Sequence, residues 1–89
     1  MEAVTNPKKT LEKVLRGTSD TNIRFDDLRS LLTALGFEER IKGSHHIFTL
    51  EAKEAALNLQ PHGSKAKAYQ VKQVRRIIID QRLATDEED

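Results

Sequence analysis

The apolar residues of this chain change period at Gly36, and that change constrains the fold more than any other feature of the sequence. Before it, Leu28, Leu31, Leu32 and Leu35 recur at spacings of three and four, which aligns them along one stripe of a helix. Phe25 leads into this segment, and Asp26 and Asp27 suit the positive end of its dipole. After it, Phe37 and Ile41 flank Glu39 with the two-residue period of a strand over residues 37–42. Gly43-Ser44 has the chemistry of a tight hairpin turn with glycine at its first central position, so residues 45–50 return as a second strand. Polar residues 51–54 lead to a third short strand near 56–60, with Leu57 and Leu59 on one face.

Helices bracket this sheet. Asn6-Pro7 reads as an N-cap followed by proline at the first helical position, and Gly17 stops the helix that carries Leu11, Val14 and Leu15. Pro61, Gly63 and Ser64 punctuate the exit from the third strand. A last helix begins at Ala66 or Tyr69, runs to Leu83 and buries Val71, Val74, Ile77 and Ile78. The expected architecture is α+β, in the order α-α-β-β-β-α. A three-stranded antiparallel sheet in 89 residues can bury only one face, so helices cover that face and the other stays free for a partner.

The formal net charge of +1 conceals an asymmetry. Residues 1–62 balance nine basic against nine acidic side chains, whereas residues 63–82 set Lys65, Lys67, Lys72, Arg75, Arg76 and Arg82 against Asp80 alone. Asp86, Glu87, Glu88 and Asp89 then form an acidic tail, expected to be disordered. The basic block is where a polyanion would dock, although a solvated helix face has the same composition. There is no cysteine, which excludes disulfides and thiolate metal sites. No apolar run approaches the roughly 20 residues that span a bilayer, and the N-terminus lacks the apolar stretch of a secretory leader.

Acid–base chemistry near neutrality points to the three histidines. His45 and His46 open the second strand and must face opposite ways, so they cannot form one cluster, and a zinc site is not expected. His62 follows the third strand. A histidine at a strand start is more often structural than chemical, so pattern alone leaves its role open.

Leu35-Gly36-Phe37, followed by Lys42-Gly43-Ser44-His45-His46-Ile47-Phe48, resembles the HicA toxin family, the toxins of HicA–HicB toxin–antitoxin pairs. Residues 69–75, from Tyr69 to Arg75, are similar to the last helix of a longer variety within that family. The resemblance covers residues 23–82 and divides the chain into an N-terminal helix and linker (1–22), a HicA-like domain (23–83) and the acidic tail (84–89). It implies a fold like the double-stranded-RNA-binding domain and an mRNA-cleaving endoribonuclease that needs no metal or other cofactor. It also implies a HicB-like antitoxin as partner and a prokaryotic cytoplasm as its location. By position in the family motif the catalytic residue is His46, with Gly43 and Ser44 forming the active-site turn and His45 in a variable place. Relatives place a histidine shortly after a proline beyond the third strand, so His62 in Pro61-His62 is a weaker match. They also join the second and third strands through a glycine-containing turn, which residues 49–54 lack, so a longer or irregular connection is expected.

RNA carries its own nucleophile, the 2′-hydroxyl, which a neutral imidazole can deprotonate for attack on the adjacent phosphate. Lys72, Arg75 or Arg76 would bind the backbone, joined by Lys65 and Lys67, and Lys42 lies across the hairpin from the histidines. Two rival readings share these features: an RNA-binding domain without catalysis, and a protein-interaction module whose free sheet face or edge pairs with another chain. A base-stacking platform fits less well, because Phe25, Phe37 and Phe48 sit where a core needs them.

Overall fold

The computed structural model of the chain describes residues 6–83. Its elements are α1 (Pro7–Arg16), α2 (Phe25–Ala34), β1 (Glu38–Lys42), β2 (His45–Leu50), β3 (Ala55–Leu59) and α3 (Ala68–Asp80). This is the α-α-β-β-β-α order read from the sequence, and it is consistent with a double-stranded-RNA-binding-domain-like fold. The sheet has the order β1-β2-β3 with both pairings antiparallel. The acidic segment 84–89 lies outside the described residues.

The two hairpins close by different means. Lys42 pairs directly with His45, and Gly43 takes the left-handed conformation (φ 59°) that the two-residue turn demands at its first central position. Between β2 and β3 the chain makes one 3₁₀ turn, Glu51–Lys53, closed by Glu54 at φ 53°. A side chain in that region costs roughly 1–2 kcal/mol, so Glu54 does with strain what glycine would do freely. The irregular connection expected for this glycine-free stretch is therefore a 3₁₀ turn.

Strand parity decides what is buried. Phe48 lies opposite Leu57, Leu50 opposite Ala55, and His46 opposite Leu59, so these residues share the inward face. Arg40, Lys42, His45, Ala56 and Asn58 face outward and are exposed. Phe48 and Leu59 pack with Leu28, Leu31 and Leu32 of α2 and Val71, Val74 and Ile78 of α3, all fully buried. Ile77, expected in the core, packs at its margin. Phe37 is buried but stands outside the ladder, because its N–H bonds back to the Leu32 carbonyl (3.0 Å) and completes the end of α2. Gln60 leaves β3 for a similar reason: its N–H goes to Oε1 of the buried Gln70 (3.3 Å). The final helix ends at Asp80, short of Leu83, whose N–H turns back to the Ile78 carbonyl at 2.9 Å.

Helix α1 starts as its sequence dictates, with the Asn6 side chain accepting from the N–H groups of Lys8 and Lys9. Its buried face is Thr10 and Val14, while Leu15 is 39% exposed, so the stripe is turned from the one that the leucines alone suggest. The helix packs on both α2 and α3, and Val14 belongs to the common core. Arg75 of α3 fastens it. Nη1 donates to the Val14 carbonyl (2.9 Å) and to Asp20 Oδ1 (3.0 Å), and Nη2 donates to Asp20 Oδ2 (3.0 Å). Removing the guanidinium leaves a partly buried carboxylate and a carbonyl without their donor. Arg75→Met should lower unfolding free energy by about 2 kcal/mol. Hydrogen exchange should show the loss concentrated in residues 7–17, and uniform protection across the chain would contradict this account.

Candidate active site

His46 sits on the inward face of β2, beneath α2. Its Nδ1 lies 2.7 Å from Oε2 of Glu39, a β1 residue on the same face. The His46 ring meets that of Phe25 edge to face, with centroids 4.8 Å apart and an interplanar angle of 73°. The His46 side chain is 12% exposed and that of Glu39 17%. Among the described residues Nε2 has no hydrogen-bond partner.

The carboxylate of Glu39 is held from its other side by α2. Arg29 donates from Nε to Oε2 (2.8 Å) and from Nη2 to Oε1 (3.2 Å), a two-pronged grip, while Nη1 reaches Asp26 at 3.2 Å. Burial pushes the Glu39 carboxyl upward, but the hydrogen bonds and charge of Arg29 and His46 outweigh it and hold the group below its ordinary value. Each of the three guanidinium nitrogens thus donates to a carboxylate, which uses three of its five N–H groups.

A cleft of about 190 Å³ opens at the histidine, walled by Phe25, Asp26, Arg29, Pro61, Gly63 and Ser64. Backbone hydrogen bonds set this wall. The Phe25 N–H bonds to the Ser64 carbonyl and the Ala66 N–H to the Ile23 carbonyl, both at 2.9 Å, which joins the approach to α2 with the approach to α3. Residues 62–65 form a tight turn, with reciprocal bonds between His62 and Lys65 at 2.9 and 3.1 Å and Gly63 at φ 63°. This pairing seats Ser64 against the start of α2.

Only some of the residues singled out in the sequence converge here. His45 faces the opposite side of the sheet, with Nδ1 3.1 Å from Asn58 Oδ1, as strand parity requires. Lys42 pairs with His45, and so stands on the face away from His46 despite sharing its hairpin. Ser44 Oγ accepts from Gln60 Nε2 (2.9 Å), which ties the turn to the end of β3. His62 is exposed in its turn, and Lys65 beside the cleft donates from Nζ to Asn22 Oδ1 at 2.6 Å. Lys67 is the N-cap residue of α3. Lys72 and Arg76 line a separate groove of about 560 Å³ with Ala56 and Asn58 of β3, and Arg76 also lies 3.6 Å from Asp80. Arg75 is committed to Asp20 and Val14. Glu39 and Arg29 escape a reading of the sequence for chemistry, although Glu39 shares the strand face of Phe37 and Ile41. A charge placed in an apolar alternation is the available signal. Among the described residues no group of three histidine or acidic side chains is placed to hold a metal ion, and no helix is long and apolar enough to cross a membrane.

Fold and cleft together define a small α+β protein with one carboxylate-held histidine at the junction of sheet, helix and turn. The family model for the HicA toxin of bacterial toxin–antitoxin systems matches residues 25–80, and the chain belongs to that family. It is thus a toxin of a toxin–antitoxin system. Helix α1 precedes the matched residues. No curated protein and no solved structure matches the chain.

The depressed carboxyls make stability depend on acid. Asp20 is held low by its hydrogen bonds to Arg75 against the opposing effect of burial, and Glu39 is held low as described. A carboxyl whose value is lower in the folded state stabilises fully above its unfolded pKa, about 4, and loses that contribution as pH falls through the folded value. Unfolding free energy should therefore be insensitive to these groups between pH 7 and roughly pH 5 and decline below about pH 4. Urea unfolding across this range should show a shallower acid decline in Asp20→Asn. An identical decline would remove Asp20 from the account.

Proposed function

We propose that this toxin is an endoribonuclease that cleaves mRNA without a metal ion, using His46 as the general base. The observation that carries the reading is the setting of the imidazole: Nδ1 is held by Glu39 while Nε2 is left without a partner among the described residues, at a cleft. A neutral ring in that arrangement can take the proton of a ribose 2′-hydroxyl, which then attacks the adjacent phosphate and expels the 5′-oxygen of the next nucleotide. Developing negative charge calls for cations near the cleft. Arg29 lines the cleft and keeps two N–H groups beyond its three carboxylate bonds, and Arg24 beside Phe25 and Lys65 beside Ser64 flank it in sequence, with Lys67 beyond. A single general base contributes about 10²–10⁴-fold, so the enzyme is a slow one whose toxicity comes from the breadth of its substrate. On this reading its inhibitor is a HicB-like antitoxin and its compartment the cytoplasm; membership of a toxin–antitoxin family supports the first.

His46→Ala should abolish cleavage of a labelled RNA and relieve toxicity on expression, while His45→Ala retains most of both. Cleavage by the parent should persist in excess EDTA, leave a 2′,3′-cyclic phosphate or its hydrolysis product, and fail on a substrate with 2′-deoxyribose at the scissile position. Parental rates from the His46 variant, or EDTA inhibition reversed by magnesium, would overturn the mechanism. A second reading, RNA binding without catalysis, is favoured by the near-complete cover of the His46 ring. Absence of cleavage by highly purified parent protein would select it.

RNA binding has its own test. Arg75 serves Asp20, so the α3 cations open to a phosphate backbone are Lys72 and Arg76. In the His46→Ala background, affinity for RNA should fall steeply with salt. Replacing Lys72 and Arg76 by alanine should reduce the log–log slope by about 0.7–0.9 for each phosphate that is no longer neutralised. An unchanged slope would move the backbone site away from α3.

A further inference from the structure

We infer that Glu39 is the positioning residue of the site, fixing the tautomer and plane of His46, and that Arg29 keeps Glu39 in place to do so. This rests on the reading of His46 as the general base. An ionised carboxylate only accepts hydrogen bonds. Glu39 is kept ionised by Arg29, whose Nε and Nη2 take one carboxylate oxygen each at 2.8 and 3.2 Å. At 2.7 Å from that carboxylate, His46 Nδ1 must be the donor, so in the neutral ring the lone pair resides on Nε2. Without Glu39, either nitrogen of a neutral imidazole can carry the proton, and one of the two forms has no base to offer at Nε2.

Placement argues for a role beyond packing. Glu39 projects onto the face that also carries Ile41, Phe48 and Leu57, where an apolar side chain would suffice for the core and a charge costs desolvation. Both of its oxygens are used, one of them shared between Arg29 and His46. Asp26 anchors the remaining Arg29 nitrogen from the same helix at 3.2 Å, and Phe25 sets the ring plane from its edge. Asp26, Arg29 and Glu39 thus act in series on one imidazole, and Phe25 touches it directly, four residues in all. Three of them lie within one turn and a half of α2, so the orientation of the base is tied to the seating of that helix.

The test reads the ring as well as the rate. Nitrogen-15 and carbon-13 spectra of selectively labelled His46 at a pH where the ring is neutral should show the proton on Nδ1 in the parent protein. In Glu39→Ala the Nε2-protonated form should appear, and single-turnover RNA cleavage should fall by at least about 10-fold. Glu39→Gln, whose amide oxygen still accepts from Nδ1, should be faster than Glu39→Ala. Arg29→Met should shift the tautomer balance in the same direction as Glu39→Ala. A parent ring protonated on Nε2, or a Glu39→Ala variant that cleaves at the parental rate, overturns the inference. If His46→Ala is inactive in the same assay, such a result leaves the general-base reading standing. If His46→Ala is active, that reading fails first. Should the Glu39 variants not fold, the tautomer of the parent protein still decides.

Discussion

A three-stranded sheet offers one face to a core, and in this chain the occupancy of that face governs everything else. Phe48 and Leu59 are fully buried at its centre, which commits every second residue of β1, β2 and β3 to the same side. That commitment carries Glu39 and His46 under α2 along with the apolar residues. Polar groups brought into such a place must satisfy one another, and they do so through Arg29, which reaches down from the helix that covers them. The Glu39–His46–Arg29 cluster is accordingly a by-product of sheet parity. Its partners are drawn from two strands and a helix that the core already holds rigid.

Much of this is legible in the sequence, and the boundary of what is legible has physical causes. Residues 25–35 announce themselves because burial there follows a helical period, and residues 45–50 because the Gly43-Ser44 turn can join antiparallel strands in few ways. Strand ends are less clear: Phe37 and Gln60 look like strand residues but spend their N–H groups on Leu32 and Gln70. Such partners come from the tertiary structure and leave no local mark. The stripe of α1 differs from its leucine pattern for a related reason. That helix packs against two others, so Thr10 is enclosed while Leu15 looks outward. His46 can be named from its motif, whereas Glu39 and Arg29, ten residues apart in different elements, become neighbours only when α2 lies on β1.

The basic segment shows how a charge count departs from an electrostatic surface. Six cations between residues 63 and 82 suggest one continuous patch. In the fold Arg75 turns inward to Asp20, Lys65 reaches Asn22, and Arg76 lies near Asp80. Lys72 and Arg76 border a groove on β3, while the cleft of His46 lies between α2 and the turn at residues 61–64. The α3 cations and His46 therefore open into different clefts, with Lys65 beside the second.

The shortness of the β1–β2 turn has a consequence for which of two adjacent imidazoles becomes the enclosed one. With Lys42 opposite His45 there is no slack in the hairpin, and the register follows by counting from the turn. A one-residue slip of β2 against β1 would turn His45 inward and His46 out, but it would also expel Phe48 from the core. The bulk of one phenylalanine thus acts as a frame check on a neighbouring histidine. The packing of Phe48 and the choice of enclosed imidazole cannot drift apart in this hairpin, because both are read from the same count of residues.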